Sequence, residues 1–303
     1  MRPSSIAVLA AAAAGPASAA TECVSGLHMI VARGTGEPEG TGSTGYLAKQ
    51  VASRIKGSDI EGLDYPATMT DPDYITSVGE GSDEMRETVR EYVKACPDTK
   101  VAVMGYSQGA QVATDAFCGG GDNGFDNEAA LPNKLVHSSV VAIVLFGDPS
   151  HIANATYNKG TSKNDGIFDR DDISVCEDKL ADRIVSYCDT GDVYCDAGDD
   201  RAVHGEYIER YGDEVVDFIV SRYESAESGE GDASTSATGT TTAKPTTAAP
   251  TGSASATDAA TPTTPGADGG AATETGDPED GASVIVPGLG LLGLLSVAVM
   301  GLM

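Results

Sequence analysis

The chain has 303 residues, with 46 acidic against 19 basic side chains and a formal net charge of −27 at pH 7. That excess disfavours nucleic acid or an anionic membrane surface as a partner, and a solvated acidic exterior accounts for it. The length fits one medium domain with extensions, or two small domains.

In chain order, the first stretch is MRPSSIAVLAAAAAGPASAA. Arg2 gives a positive start, Ile6 to Ala14 an apolar run, and Ala17-Ser18-Ala19 a small-residue cleavage site. This predicts a secretory signal peptide over residues 1–20. Four β-branched apolar runs then read as buried strands: Leu27 to Ala32, Val101 to Met104, Val140 to Phe146 and Ile184 to Tyr187. Helical patterns alternate with them at Gly45 to Ile55, Ser82 to Ala95, Gln108 to Phe117 and Glu206 to Tyr223. Ser82, followed by acidic residues, reads as a helix start. The alternation predicts an α/β fold, a parallel sheet covered by helices on both faces. In such sheets sites sit at the carboxyl ends of strands, where Gly105-Tyr106-Ser107 falls.

After the last helix the chain turns to Ser, Thr, Ala, Gly and Pro, and it cannot bury a core. Residues 226–270 read as an O-glycosylated stalk. The end, Val284 to Met303, is long enough to span a bilayer. No Lys or Arg follows it, and Lys244 is the only basic residue after Arg222. A spanning helix normally shows a basic inside flank. Small residues at Gly269 to Ala272, a polar spacer and the apolar tail make the signal for a glycolipid (GPI) anchor. Gly270 is the anchor-site candidate, with residues 271–303 removed; a retained spanning helix is the alternative. The folded domain then lies within residues 21–225, enough for one core.

All six cysteines, at 23, 96, 118, 176, 188 and 195, lie in this domain. An even number in a secreted chain points to three disulfides, and about fifteen pairings are open. No C-x-x-C occurs and the histidines do not cluster with the cysteines, so a zinc site is a poor reading. No metal or organic cofactor is expected. Asn154-Ala155-Thr156 is an N-glycan acceptor on the loop after the third apolar run.

The stretch GYSQGAQ, Gly105 to Gln111, holds G-x-S-x-G between a strand and a helix. A serine hydroxyl is a weak nucleophile and needs a base, usually His oriented by a carboxylate. On α/β-hydrolase sheets the order is Ser, Asp or Glu, then His. His28 precedes the serine, and His137 and His151 flank the third strand. Only His204 lies near the end of the domain, after the acid-rich loop SYCDTGDVYCDAGDDRAVHGEY. There Cys188 and Cys195 bracket Asp192, and a disulfide between them would fix its position. The nominees are Ser107, Asp192 and His204. For an oxyanion hole, the N–H of Gln108 is one donor and the ARGTGEP loop is the place for the other. Thr35 there offers N–H and hydroxyl, although a turn threonine between glycines explains it equally well.

The motifs VARGTGE, CPDTKVAVMGYSQGAQ, AFCGGGD, VLFGDPSHI, YNKGTS, SYCDTGDVYCDAG and VHGEYIERYG together resemble the cutinase and acetylxylan esterase family of fungal serine esterases. The acetylxylan esterase branch is the more similar one, and the resemblance runs from Cys23 to about Arg222. It implies an α/β-hydrolase-type three-layer sandwich with a five-stranded, mainly parallel sheet and no lid. It implies Ser107 as nucleophile, Asp192 as acid, His204 as base, and Thr35 with Gln108 as the oxyanion pair. It also implies the pairings Cys23–Cys96, Cys118–Cys176 and Cys188–Cys195. The chain departs from it at two further disulfides usual in acetylxylan esterases. Ser162 and Asp196 replace both partners of one, and the other is missing between Pro66 and Gly79.

The resulting expectation is a monomeric, secreted, lipid-anchored serine esterase acting on acetyl esters of plant cell-wall polysaccharide. Cutinase action on longer acyl polyesters is one alternative. An inactive wall-tethered binding or structural protein on the same fold is another.

Overall fold

The computed structural model describes residues 22–121, 125, 129–168, 170 and 172–229. The signal peptide, nearly all of the stalk and the anchor signal with Gly270 lie outside the described residues.

Strand β1 (Leu27–Ala32) is buried throughout. Leu27, Met29 and Val31 enter one apolar core, and Ile30 and Ala32 the other. The period of two along a strand produces this division. Helices α1 (Gly45–Arg54) and α6 (Tyr207–Ser228) cover the first core through Leu47, Val51, Val215 and Ile219. Helices α2 (Tyr74–Ala95), α3 (Gln108–Cys118) and α4 (Asn133–Ser139) cover the second through Val78, Met85, Val112 and Val136. The remaining strands are β2 (Asp59–Gly62), β3 (Lys100–Tyr106), β4 (Val140–Phe146), β5 (Asn158–Lys159) and β6 (Ile184–Tyr187).

The sheet is wholly parallel, in the order β2-β1-β3-β4-β6-β5. It has six strands, not five. The extra one, β5, is two residues long and joins the edge by pairing Asn158 with Ser186 and Lys159 with Tyr187. Such a fragment leaves no hydrophobic period to read. From β1 the chain steps to β2 on one side and to β3 on the other, so strand order reverses between β1 and β3. That reversal opens a crevice at the carboxyl ends.

Helix α2 starts at Tyr74, well before Ser82. Asp73 caps it, its carboxylate accepting from the Thr76 N–H at 3.1 Å. Gly81 in its early turns serves packing: a Cβ there would lie 2.6 Å from the Tyr65 ring and 2.7 Å from Val112. Helix α6 runs to Ser228, past the boundary expected at 225.

All six cysteines are paired as the resemblance implies, with Cα separations of 5.4 Å (Cys23–Cys96), 5.0 Å (Cys118–Cys176) and 5.9 Å (Cys188–Cys195). Asn154 lies exposed in a turn. Ser162 and Asp196 are in contact: the Ser162 hydroxyl donates to the Asp196 carboxylate. The same oxygen accepts the N–H groups of Lys163 (3.3 Å) and Asn164 (3.2 Å), and the other accepts that of Gly191 at 2.7 Å. A polar clasp therefore joins the segment after β5 to the loop after β6. Burial alone would raise the Asp196 carboxyl, but these donors outweigh it and hold the group below its ordinary value.

A depressed carboxyl stabilises the fold above its unfolded value near 4, and the contribution is lost as pH falls through the folded value. Replacing Asp196 by Ala is expected to lower Tm by about 4–8 °C at pH 7, for a loss of ~2 kcal/mol. In thermal melts from pH 7 to pH 3, the gap between wild type and Asp196→Asn should be level above pH ~4 and shrink below it. A gap that does not change with pH would overturn the ionised clasp.

Candidate active site

Ser107 follows β3 directly and precedes the first residue of α3. Its backbone has φ 54° and ψ −121°, a region that costs a non-glycine residue about 1–3 kcal/mol. The turn is held by the Ser107 N–H donating to the Phe146 carbonyl at 2.8 Å. Both motif glycines are required by close approach. A Cβ on Gly105 would lie 2.3 Å from the Gly109 carbonyl oxygen, and one on Gly109 would lie 2.2 Å from that of Ala32. The result is a sharp strand-to-helix elbow that presents the serine in the crevice, part-exposed.

Asp192 and His204 meet across the loop after β6. His204 Nδ1 lies 2.8 Å from Asp192 Oδ2. His204 ends a short helical turn, α5 (Arg201–His204), where sequence suggested a loop; Asp200 caps that turn. Asp192 is fully buried, yet its carboxylate is saturated with donors. Oδ1 accepts the N–H groups of Tyr194 (2.7 Å) and Cys195 (3.1 Å), and Oδ2 accepts the Tyr207 hydroxyl at 2.6 Å. Burial pushes this carboxyl up, but His204, Tyr207 and the Tyr194 N–H together hold it below its ordinary value. Burial and the neighbouring Asp192 charge keep the Tyr207 hydroxyl protonated by raising its pKa far above the usual phenol value.

His204 Nε2 is buried and has no hydrogen-bond partner among the described residues. With Nδ1–H donating to Asp192, Nε2 is left as the proton acceptor. Ser107 and His204 line one cavity of ≈ 390 Å³ together with Gly34 and Thr35. The other histidines are elsewhere: His28 Nδ1 lies 2.7 Å from Asp59, His137 Nδ1 lies 3.0 Å from an Arg183 nitrogen, and His151 is buried without a ring partner.

Thr35 lies on the loop leaving β1, next to the elbow. A Cβ on Gly34 would come within 3.4 Å of the Ser107 Cβ. The loop is fixed by Glu37, whose carboxylate accepts the N–H groups of Gly34 (2.6 Å) and Ser43 (2.9 Å). Buried Arg33 adds bonds to the carbonyls of Glu37, Leu63, Tyr65 and Pro66. Gln108, the first residue of α3, has a backbone N–H without an intrahelical acceptor, as in the first turn of any helix. Its side chain is tied back to Ser77 and Thr68, at 2.9 Å each.

Four contributors escaped sequence reasoning. Tyr207 holds the acid. The Tyr106 hydroxyl holds the His204 carbonyl at 2.6 Å. Glu37 sets the Thr35 loop. Gly147 makes room for the imidazole, since a Cβ there would lie 2.7 Å from His204 Cε1. Only Gly147 carries a local signal, in the Gly-Asp-Pro turn that ends β4. The cavity wall is apolar: Met69, Ile167 and Pro149, with Tyr74 stacked on Phe168 at 5.3 Å between ring centres. Arg170, paired with buried Asp115, anchors the Ile167–Phe168 segment.

The description "Cutinase" belongs to the family model that matches residues 23–223. The acetylxylan esterase of Hypocrea jecorina is 36% identical over 220 residues, 69% of this chain and 72% of the relative. Cutinase 11 of Verticillium dahliae is 33% identical over 209 residues, 67% of this chain and 70% of the relative. The solved catalytic core of acetyl xylan esterase from Trichoderma reesei superposes with a TM-score of 0.62 at 35% identity, covering 66% of this chain and all of that one. A serine elbow at the switch point of a parallel sheet, a histidine held by a buried aspartate and a family model spanning the domain lead to one conclusion: this chain belongs to the cutinase family.

Proposed function

We propose that the protein is a carboxylic ester hydrolase working through an acyl-enzyme. The observation that carries this reading is the His204 imidazole, which lines one cavity with Ser107; its Nδ1 is fixed on buried Asp192, and its Nε2 has no hydrogen-bond partner among the described residues. Ser107 Oγ attacks the ester carbonyl carbon as Nε2 takes its proton. The N–H of Gln108 and the Thr35 loop receive the oxyanion. The leaving alcohol takes the proton back from Nε2, and water repeats the sequence to release the acid.

The preferred substrates are acetyl esters on plant cell-wall polysaccharide, which the likeness to named acetylxylan esterases supports. A second reading, longer acyl esters, draws on the apolar cavity wall, where Met69 and Ile167 are 53% and 44% exposed. The N-terminal segment and three disulfides support secretion. Retention through a glycolipid anchor at Gly270 and a glycan on Asn154 complete the proposal.

Ser107→Ala is expected to retain its fold by circular dichroism, to lose about 10⁴-fold or more in kcat on p-nitrophenyl acetate, and to resist a fluorophosphonate probe that labels wild type. Wild-type rates or labelling in this variant would sink the assignment, and an unlabelled wild type would favour the inactive binding protein. A series of p-nitrophenyl esters from acetate to octanoate separates the substrate readings: kcat/KM highest at acetate supports the first, and a maximum at butyrate or beyond the second. Tyr207→Phe should cost about tenfold in kcat with KM little changed, since one charge-assisted donor to Asp192 is lost. An unchanged kcat would remove Tyr207 from the positioning of the acid.

A further inference from the structure

At the pole of the sheet opposite Ser107, the amino ends of β3, β4 and β6 meet the carboxyl ends of α4 and α6 around a second cavity. Its volume is ≈ 130 Å³, roughly ten times the space one water needs. Lys100, His137, Arg183 and Arg222 line it. On a chain of net charge −27, a cleft lined by cations is an exception that requires an account.

Arg183 is committed to the fold. It donates to the Val140 carbonyl at 2.9 Å, to His137 Nδ1 and to Asp182. The other two cations keep donors in reserve. Arg222 uses Nε on the Val141 carbonyl (3.3 Å) and Nη2 on Asp182 (3.0 Å), which leaves Nη1 without a partner among the described residues. Lys100 spends one N–H on the Ser138 carbonyl at 2.9 Å and has no carboxylate partner among the described residues. Of three full positive charges, two thus share one carboxylate, Asp182, and the third contacts none among the described residues. The carbonyl ends of α4 and α6 account for part of that excess, and Lys100 on Ser138 is such a contact. They do not use the guanidinium edge of Arg222 or the remaining ammonium protons.

We propose that this cleft binds a phosphate-type anion, between the free edge of Arg222 and the Lys100 ammonium. A planar fork of donors beside a point charge matches a tetrahedral oxyanion. Clustered cations in a cleft focus the local field on an anion. Gly229, which caps α6, also lines the cavity, so the site lies at the last described turn. The phosphate comes either from a soluble phosphate or from a phospholipid headgroup.

Thermal melts of the full-length protein in inorganic phosphate, against chloride at matched ionic strength, test the site. Wild type should gain about 3–6 °C at ten times the half-saturating concentration. Lys100→Gln and the milder Arg222→Lys should lose most of that phosphate-specific gain while keeping wild-type ester hydrolysis, which also shows that they fold. Equal gains in wild type and both variants are general salt stabilisation and overturn the proposal, as does no gain at all. Co-sedimentation with phosphatidylcholine vesicles, with and without phosphatidate, identifies the source. Extra retention on phosphatidate that inorganic phosphate competes away, and that Lys100→Gln abolishes, assigns a lipid headgroup. A phosphate-specific gain with no extra retention assigns a soluble phosphate.

Discussion

The carboxyl end of the sheet is organised around one buried negative charge. Removing a carboxylate from water costs several kcal/mol unless its lone pairs are used. At Asp192 four donors use them, from Tyr194, Cys195, Tyr207 and His204. Each donor comes with a constraint. The two backbone N–H groups require the tight loop closed by Cys188–Cys195, the Tyr207 hydroxyl requires the first turn of α6 to begin where it does, and His204 requires its Nδ1 to carry the proton. The imidazole is therefore set in tautomer and direction by the same bonds that make the buried charge tolerable. The bonds that stabilise Asp192 also leave Nε2 of His204 without a partner among the described residues.

The sheet supplies the other half of the geometry. Reversal of strand order between β1 and β3 brings the Thr35 loop beside the Ser107 elbow, although 72 residues of chain separate them in sequence. The approach is closer than side chains allow, which is why glycines stand at 34 and 109, while the one at 105 is required by the fold of the elbow itself. Rigid strands carry the elbow and the loop, and Glu37 and Arg33 remove the slack that remains.

Much of this is legible in the residues, and the illegible parts share a cause. Strands β1, β3, β4 and β6 are buried on both faces and so appear as apolar runs. β2, with the sequence DIEG, is a half-exposed edge, and β5 is too short to show a period. The start of α2 was missed because Ser82, followed by acidic residues, looks like a helix start, whereas it lies inside the helix with its hydroxyl on the Val78 carbonyl. Ser107, Asp192 and His204 were readable because chain order excludes His28, because His137 and His151 flank the third strand, and because only His204 follows the acid-rich loop near the end of the domain. Tyr207 and Tyr106 were not, because a tyrosine whose hydroxyl is spent on a buried partner looks in sequence like any aromatic residue of a core. The cysteine pairings needed a family resemblance, since spacing alone left them open.

At Ser162 and Asp196, where the resemblance implied a further disulfide, a carboxylate clasp supplies the constraint. The Cys188–Cys195 ring, spanning seven positions, limits the internal shape of the acid loop and contributes about 2–3 kcal/mol by restricting the unfolded chain. A ring of that size does not place the loop against anything else. Asp196 lies one residue outside it and collects donors from 162, 163, 164 and 191, so it docks the ring onto the segment after β5. Covalent closure and the carboxylate clasp do different work: the first shapes the loop that carries Asp192, and the second positions it. A cross-link at 162 and 196 would hold the loop at any pH, whereas the clasp holds it only while Asp196 is ionised. The carboxylate clasp therefore makes the placement of the Asp192 loop depend on pH at its outer edge, while Asp192 itself stays shielded within.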